Sequence, residues 1–218
     1  MGIRTAASLL AILLLPSLAQ AAESKTTREG MAYSIQVPKS YAPSEGAVLV
    51  LGLHGRGGSN TQFMPILVGA SYLKQHILVA PNALTNARWG AEDLPVLAAL
   101  VRELHATFNV SRTIAFGFSQ GAYCSFGFSL NYPELVEAAI PHSGGIGFAG
   151  RPTDAAKDVA FYVIHGDADT TVPVEQSRSA TKHVETLRIT HVKYEEIAGL
   201  GHTISRAACE RGFAWVEK

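Results

Sequence analysis

Short apolar runs alternate with segments of helical periodicity along most of the chain. Residues 31–37 alternate apolar and polar side chains, which is typical of an exposed antiparallel strand. Residues 47–53 are continuously apolar, as expected of a strand whose two faces are both buried. The same reasoning predicts further strands at 77–80, 113–118, 138–142, 160–165 and 191–197. Helices are predicted at 62–74, 91–107, 120–131, 174–187 and 204–216.

This alternation predicts an α/β fold with a mostly parallel, twisted sheet and helices on both faces. Asp93 is placed to cap the second helix, and Tyr132-Pro133 ends the third. About sixteen residues separate Ser143 from Val159, which is too few for a helical cap domain. A site at this edge of the sheet is therefore expected to be open.

The first 21 residues have the pattern of a secretory signal peptide. Arg4 precedes an apolar run over 6–15, and Ala-Gln-Ala at 19–21 has small residues at the two positions that a signal peptidase reads. The run is too short to cross about 30 Å of hydrocarbon, which argues against a membrane anchor, and no cysteine follows it to carry a lipid. We expect an exported protein, periplasmic or secreted, cleaved after Ala21 and folded as one domain over 22–218.

Composition narrows the function classes. The chain has 18 basic and 18 acidic residues and no charged run, so nothing indicates nucleic acid or an anionic membrane as a partner. Apolar residues make up 47% of the chain, which favours a two-sided α/β core over a bundle. Cys124 and Cys209 are expected to be buried free thiols, because their helices are predicted on opposite faces of the sheet, beyond the roughly 7 Å that a disulfide tolerates.

The segment Gly-Phe-Ser-Gln-Gly at 117–121 lies between a predicted strand and a predicted helix. In this setting Gly-x-Ser-x-Gly is typical of a nucleophile elbow, a strained turn that exposes the serine hydroxyl above the sheet edge. Ser119 is therefore a candidate nucleophile. Such a serine needs a base to take its proton, an acid to orient the base and donors that stabilise an oxyanion.

A glycine-rich turn, His-Gly-Arg-Gly-Gly at 54–58, follows the buried strand at 47–53. Its free backbone N–H groups could bind a phosphate or form the oxyanion hole that accompanies the serine turn. The turn lacks the Gly-Lys-Ser/Thr ending of a P-loop and the spacing of a dinucleotide site, which favours the oxyanion hole over a phosphate loop or a simple turn. The predicted donors are the backbone N–H groups of Arg56 and Gln120.

Two carboxylates, Asp167 and Asp169, follow the strand at 160–165 and compete for the role of the acid. A calcium loop is disfavoured, since Val172 stands where that loop has glycine and Arg178 where it has a bidentate glutamate. One aspartate is expected to orient the histidine base, and the other to hold the turn.

Among the eight histidines, His202 alone follows a glycine in a loop that opens a predicted helix, which makes it the candidate base. His54, His142 and His165 lie at strand ends and are expected to tie loops. The other four are expected at the surface: His76, His105, His183 and His191. The chain order Ser119, aspartate, His202 is characteristic of the α/β-hydrolase fold.

Together these motifs resemble those of the phospholipase/carboxylesterase group of α/β-hydrolases, which includes acyl-protein thioesterases, and of related secreted polyhydroxybutyrate-depolymerase-like and feruloyl-esterase-like proteins. The likeness extends over nearly all of the mature chain and rests on LHGRGGS at 53–59, GFSQG at 117–121, HSGG at 142–145, HGDADTTVP at 165–173 and GHTIS at 201–205. It implies that Asp169 rather than Asp167 is the acid. It also implies that Trp89 lines the acyl or alcohol pocket as a substrate contact, with a packing role as the alternative.

The resemblance implies a serine carboxylesterase that cleaves small to medium esters through a Ser119–His202–Asp169 triad and an acyl-enzyme. Alternatives are thioesterase or lysophospholipase-like activity, polyester or feruloyl esterase activity, transfer to an acceptor other than water, and amide hydrolysis. Arg56 departs from the thioesterase pattern and, with the predicted export, argues against a lipid thioester. A non-enzymatic binding role is disfavoured because every catalytic position is filled. The implied partner is a small-molecule ester, and no metal or cofactor is called for.

Overall fold

The protein is described by a computed structural model over residues 22–85, 87–148, 150 and 152–218. Within these residues eight strands form one sheet. The strands are β1 (Glu23–Thr26), β2 (Ala32–Gln36), β3 (Ala47–Leu53), β4 (Ile77–Pro81), β5 (Val110–Phe118), β6 (Ala138–His142), β7 (Ala160–Gly166) and β8 (Val192–Ile197). The helices are α1 (Asn60–Val68), α2 (Asp93–Thr107), α3 (Gln120–Asn131), α4 (Glu175–Thr186) and α5 (Arg206–Val216).

The order of the strands across the sheet is β1-β2-β4-β3-β5-β6-β7-β8. Six neighbouring strands are mutually parallel: β4, β3, β5, β6, β7 and β8. At one edge of the sheet, β2 pairs antiparallel with β4, and β1 pairs antiparallel with β2. The carboxyl ends of parallel strands lie at the same edge of a sheet, where ligands bind in open α/β folds. The loops that follow β3, β5, β6, β7 and β8 are therefore neighbours.

Two helical layers bury the two faces of the sheet. Helices α1 and α5 pack on one face, and α2, α3 and α4 pack on the other. Strand β5 serves both layers, since Ile114 and Phe116 point to the α1–α5 side and Ala115 to the opposite side. Cys124 and Cys209 are free and buried on opposite faces, as predicted.

The predicted α/β architecture is confirmed, and all seven predicted strands and five predicted helices are present. Strand β1 was not predicted, because its four residues are all exposed and carry no apolar alternation. The predicted helix at 62–74 is wrong at both ends. Helix α1 begins at Asn60, where the Ser59 hydroxyl accepts the N–H of Gln62, and it ends before Gly69; a short 3-10 helix follows at Ser71–Leu73.

Two side-chain predictions also fail. The Asp93 carboxylate makes no cap hydrogen bond to α2; it is buried and accepts the N–H groups of Leu84 and Gly90, each at 2.7 Å. Asp93 therefore anchors the loop before the helix. His76 is not at the surface but is buried, with its Nε2 atom 2.7 Å from Glu217 in the last turn of the chain.

Residues 1–21, on which the signal-peptide prediction falls, lie outside the described residues. In the ranges that are described, no helix combines the length and the apolar character that a membrane span requires. The segment 143–159, where no helical cap was expected, has one short 3-10 helix at Asp154–Asp158 among its described residues.

Candidate active site

Ser119 occupies the sharp turn between β5 and α3. Its backbone has φ 55° and ψ −120°, a conformation that L-residues rarely adopt and that structures retain mostly at functional sites. The turn requires glycine on both sides: a Cβ on Gly117 would lie 2.0 Å from the Gly121 carbonyl oxygen, and one on Gly121 would lie 2.0 Å from that of Leu53. The Ser119 N–H donates to the His142 carbonyl at 2.9 Å, which fixes the turn against β6.

A continuous chain of hydrogen bonds runs from Ser119 through His202 to Asp169. The His202 Nε2 atom lies 3.0 Å from Ser119 Oγ, and Nδ1 lies 2.6 Å from Asp169 Oδ2. With Nδ1–H donating to the carboxylate, Nε2 is left to accept the serine hydroxyl proton. The Asp169 side chain is fully buried, whereas that of His202 is 19% exposed, so the chain opens to solvent at the imidazole.

Asp169 is held in place by its own loop. Its Oδ1 atom accepts the N–H groups of Thr171 and Val172, each at 2.9 Å, which leaves Oδ2 for His202. Burial alone would raise the pKa of Asp169, but the hydrogen bonds from Val172, His202 and Thr171 outweigh it and lower the pKa below its ordinary value. The carboxylate is therefore ionised where it faces the imidazole.

Asp167, the competing carboxylate, does not reach His202. It is exposed, and its Oδ1 atom accepts the N–H of Gly199 at 2.6 Å. Gly199 lies three residues before His202 and has φ 71°, a turn conformation that suits glycine. Asp167 thus ties the turn after β7 to the loop that carries the histidine, which is the role expected of the second aspartate.

Three further histidines tie loops, as expected for strand-end positions. The His165 Nε2 atom lies 2.9 Å from the Val172 carbonyl and 3.3 Å from Asp169 Oδ2, and Nδ1 contacts the Ser177 hydroxyl. His54 bridges the Gly55 carbonyl and the Ala83 N–H. The His165 ring therefore lies next to Asp169, and the His54 ring lies next to the glycine-rich turn.

His142 ties the His202 loop to β6. Its Nε2 atom accepts the N–H of Ser205, the cap residue of α5, at 3.0 Å, and its Nδ1–H donates to Ser143 Oγ. Nε2 can accept only in the neutral ring. Burial, followed by the nearby His165 and His202, lowers the pKa of His142 to about 3.

This buried neutral ring predicts loss of stability in acid. A histidine in an unfolded chain titrates near 6.5, so between about pH 6.5 and 3 the unfolded state binds a proton that folded His142 does not. Stability is full above this window and falls as the pH drops through it. We expect His142 to contribute about 1.4 kcal/mol per pH unit to the fall in the free energy of unfolding, measured by urea titration between pH 6 and 4.

His142→Gln keeps an acceptor within reach of the Ser205 N–H but has no group that titrates in this window. The pH slope of its unfolding free energy should therefore be shallower than that of the wild type by about one proton. Equal slopes in the two proteins would contradict a neutral, buried His142.

The predicted oxyanion donors lie on two loops that meet at Ser119. In the glycine-rich turn, the Gly57 N–H donates to the Ala87 carbonyl and the Gly58 N–H to that of Gly55. Among the described residues, the backbone N–H groups of Arg56 and Gln120 have no acceptor. Gln120 is the first residue of α3, where helical geometry leaves the N–H without a partner.

The glycine-rich turn is close to the serine, since a Cβ on Gly55 would lie 3.3 Å from Ser119 Cβ. The glycine-rich turn and the first residue of α3 therefore both adjoin Ser119.

Trp89, predicted as a substrate contact with packing as the alternative, packs inside the structure and is not among the residues that line the cleft. Trp89 is only 2% exposed, and its Nε1–H donates to the His54 carbonyl at 2.8 Å. The Gln120 side chain accepts the Trp89 N–H at 3.2 Å and donates to its carbonyl at 3.4 Å. Trp89 thus joins the glycine-rich turn to the start of α3. The Gln120 side chain was not expected to take part, because only its backbone role follows from the motif.

Trp89→Phe tests this supporting role. Loss of the Nε1–H leaves the His54 carbonyl without its donor, and we expect the free energy of unfolding to fall by about 1–3 kcal/mol. Because no substrate contact is removed, the ranking of p-nitrophenyl esters from acetate to octanoate should be preserved. A changed ranking would show that the indole reaches the substrate.

A cleft of about 570 Å³ opens between the glycine-rich turn, α1 and the His202 loop. It is lined by residues 54–59, Gln62, Phe63, Ile66, Phe118, residues 202–204 and Arg206. The Phe118 ring packs 4.9 Å from the His202 ring, between centroids. In the described ranges, no group of three or more His, Cys, Asp or Glu side chains is arranged to hold a metal ion.

The chain is similar in sequence to known esterases. The chain is 30% identical over 171 residues to a probable feruloyl esterase C of Aspergillus clavatus, an alignment that covers 72% of this chain and 60% of that protein. The chain thus spans less than two thirds of the curated relatives it matches first.

Two solved structures share the fold. Acetyl xylan esterase from Aspergillus awamori superposes with a TM-score of 0.76 at 15% identity, covering 91% of this chain and 99% of that one. Esterase PE8 superposes with a TM-score of 0.64 at 28% identity, covering 84% and 98%. The fold is thus that of α/β-hydrolase esterases, as the motifs implied.

The family model described as Phospholipase/Carboxylesterase matches residues 91–211, more than half of the chain and the whole span from α2 to His202. The chain therefore belongs to the phospholipase/carboxylesterase family.

Proposed function

We propose that this protein is a serine hydrolase that cleaves carboxylic esters of small to medium size. The observation that carries the proposal is the hydrogen-bonded chain Ser119–His202–Asp169. The backbone N–H groups of Arg56 and Gln120, without acceptors among the described residues, support it. Membership of the phospholipase/carboxylesterase family supports the same chemistry. Ser119 is half-buried, and within the described part of the segment 143–159 only one short 3-10 helix occurs, which supports access of an ester carbonyl to its hydroxyl.

In the first half of the reaction, Ser119 Oγ attacks the ester carbonyl while His202 Nε2 takes its proton. Asp169 holds the imidazole with Nε2 toward the serine and stabilises the imidazolium that forms. The carbonyl oxygen becomes an oxyanion that the N–H groups of Arg56 and Gln120 bind, each donor being worth roughly 3–4 kcal/mol in comparable sites. His202 then protonates the leaving alcohol, and the acyl-enzyme remains on Ser119.

In the second half, water replaces the alcohol. His202 takes a proton from the water as it attacks the acyl-enzyme, and the same N–H groups bind the second oxyanion. Collapse of this intermediate returns the proton from His202 to Ser119 Oγ and releases the carboxylic acid. The residues named here account for all four proton transfers and for the charge on oxygen.

Esters of aromatic acids are a second candidate within the same chemistry. The name of the Aspergillus clavatus relative, a probable feruloyl esterase, supports this candidate, and so does the apolar wall that Phe118 gives to the cleft. The proposal includes export of the protein with cleavage after Ala21, so that the enzyme hydrolyses its ester substrates outside the cytoplasm.

The test is active-site labelling of the mature protein with a fluorophosphonate, followed by fragmentation mass spectrometry of the digested protein. We expect one label per chain, on Ser119, and time-dependent loss of p-nitrophenyl butyrate hydrolysis in step with labelling. Label at another serine, or full hydrolysis after complete labelling of Ser119, would overturn the proposal. The kcat/KM values for methyl ferulate and for acetate, butyrate and octanoate esters then show which acyl group the enzyme prefers.

A further inference from the structure

The cleft beside the active site has an uneven charge. Its lining contains two arginines, Arg56 and Arg206, and no aspartate or glutamate. The whole chain has equal numbers of acidic and basic residues, so this positive charge is local. Asp169, the nearest carboxylate of the site, is fully buried behind His202 and is already bonded to three donors.

Neither arginine is neutralised by a carboxylate among the described residues. Among the described arginines, Arg102, Arg178 and Arg211 form ion pairs with glutamates, whereas Arg56 and Arg206 belong to those that form none. Both are exposed. Arg206 lies at the C-terminal end of α1, with its guanidinium 3.8 Å from the position of a Cβ on Gly69.

The lining also contains four apolar side chains, next to polar groups and glycines of the surrounding loops. Phe63, Ile66, Phe118 and Ile204 provide side chains that suit a hydrocarbon or aromatic group. Arg56 connects this surface to the reacting centre, because its backbone N–H is one of the two proposed oxyanion donors and the residue lines the cleft. A ligand that occupies the cleft would therefore present an apolar body to the wall and a negative group to the arginines.

We propose that the cleft selects esters that carry a carboxylate in addition to the ester group that is cleaved. The planar guanidinium matches a carboxylate with two parallel hydrogen bonds, and such charge-assisted bonds are about twice as strong as neutral ones. The inference rests on the proposed ester hydrolysis and adds the substrate class to it. The carboxylate lies on either the acyl side or the alcohol side of the ester, and the test has one arm for each.

The acyl arm compares p-nitrophenyl hydrogen adipate with methyl p-nitrophenyl adipate. The alcohol arm compares 4-carboxyphenyl butyrate with its methyl ester, by release of the phenol. In each pair the two substrates differ only by a methyl group that removes the charge. At low ionic strength we expect kcat/KM to favour the charged substrate by about tenfold in at least one arm. The ratio should fall in 0.5 M NaCl, because exposed charges are screened.

Arg56→Gln and Arg206→Gln should each lower the charged-to-neutral ratio of kcat/KM by about fivefold. Arg102→Gln is the matched control: it makes the same change in net charge at an exposed ion pair outside the cleft lining, and its ratio should stay within twofold of the wild type. A preference in one arm assigns the carboxylate to that side of the ester.

Two results would overturn the inference while leaving ester hydrolysis intact. One is a ratio of one or below in both arms with neutral esters still hydrolysed; the other is a preference that neither cleft arginine affects. Hydrolysis of none of the four esters, with Ser119 unlabelled, would instead refute the proposed function and the inference with it.

Discussion

Ser119→Ala is expected to lower kcat for p-nitrophenyl butyrate by about 10⁶-fold and to abolish fluorophosphonate labelling. The size of this loss in kcat follows because the three members of the triad act as a unit. Without the nucleophile, the remaining histidine and aspartate contribute little to the rate. What persists is the rate that the oxyanion donors supply to attack by water. Initial rates at saturating ester, corrected for spontaneous hydrolysis, measure the loss.

Ser129→Ala is the matched control for this loss. Ser129 lies in the same helix, α3, and its buried hydroxyl has no hydrogen-bond partner among the described residues. Its removal should leave the rate and the labelling within about twofold of the wild type, since no bond or reacting atom is lost. Labelling that persists in Ser119→Ala would place the nucleophile elsewhere in the chain.

Asp169→Asn is expected to reduce kcat by about 10⁴-fold, because an amide in this position favours the wrong tautomer of His202 and cannot stabilise its cation. Asp167→Asn makes the same chemical change two residues away. Its amide oxygen can still accept the Gly199 N–H, so we expect less than a tenfold loss. Steady-state rates of the two variants show which carboxylate acts as the acid. Near-equal unfolding midpoints would show that both variants remain folded. A greater loss in Asp167→Asn would reverse the assignment of the acid.

The strands, the helices and the candidate triad could be predicted because each depends on local sequence. Buried parallel strands are largely apolar, and the serine and the aspartate each follow such a strand, whereas the histidine follows β8, a partly exposed edge strand. The neighbouring carboxyl ends of parallel strands then bring these loops together. Residue spacing alone left Asp167 and Asp169 as equal candidates, and the two are separated in the structure by which loop each carboxylate faces.

The missed features depend on tertiary contacts. Strand β1 is polar and exposed, and it is held by pairing with β2 rather than by an apolar face. The family resemblance implied that Trp89 lines the pocket, with packing as the alternative; in the structure its backbone N–H donates to the Gln120 side chain and its Nε1–H to the His54 carbonyl. Asp93 stands where a helix cap is common, but two N–H groups from the preceding loop take both of its oxygens.

The two buried thiols on opposite faces of the sheet are natural reporters of local opening. Burial raises the pKa of Cys124 well above its ordinary value and that of Cys209 to about 12, so neither thiol forms a reactive thiolate in the folded state. Alkylation must then wait until one helical layer separates from the sheet. The rate at Cys124 therefore reports opening around α3 on one face, and the rate at Cys209 opening around α5 on the other, without any engineered probe.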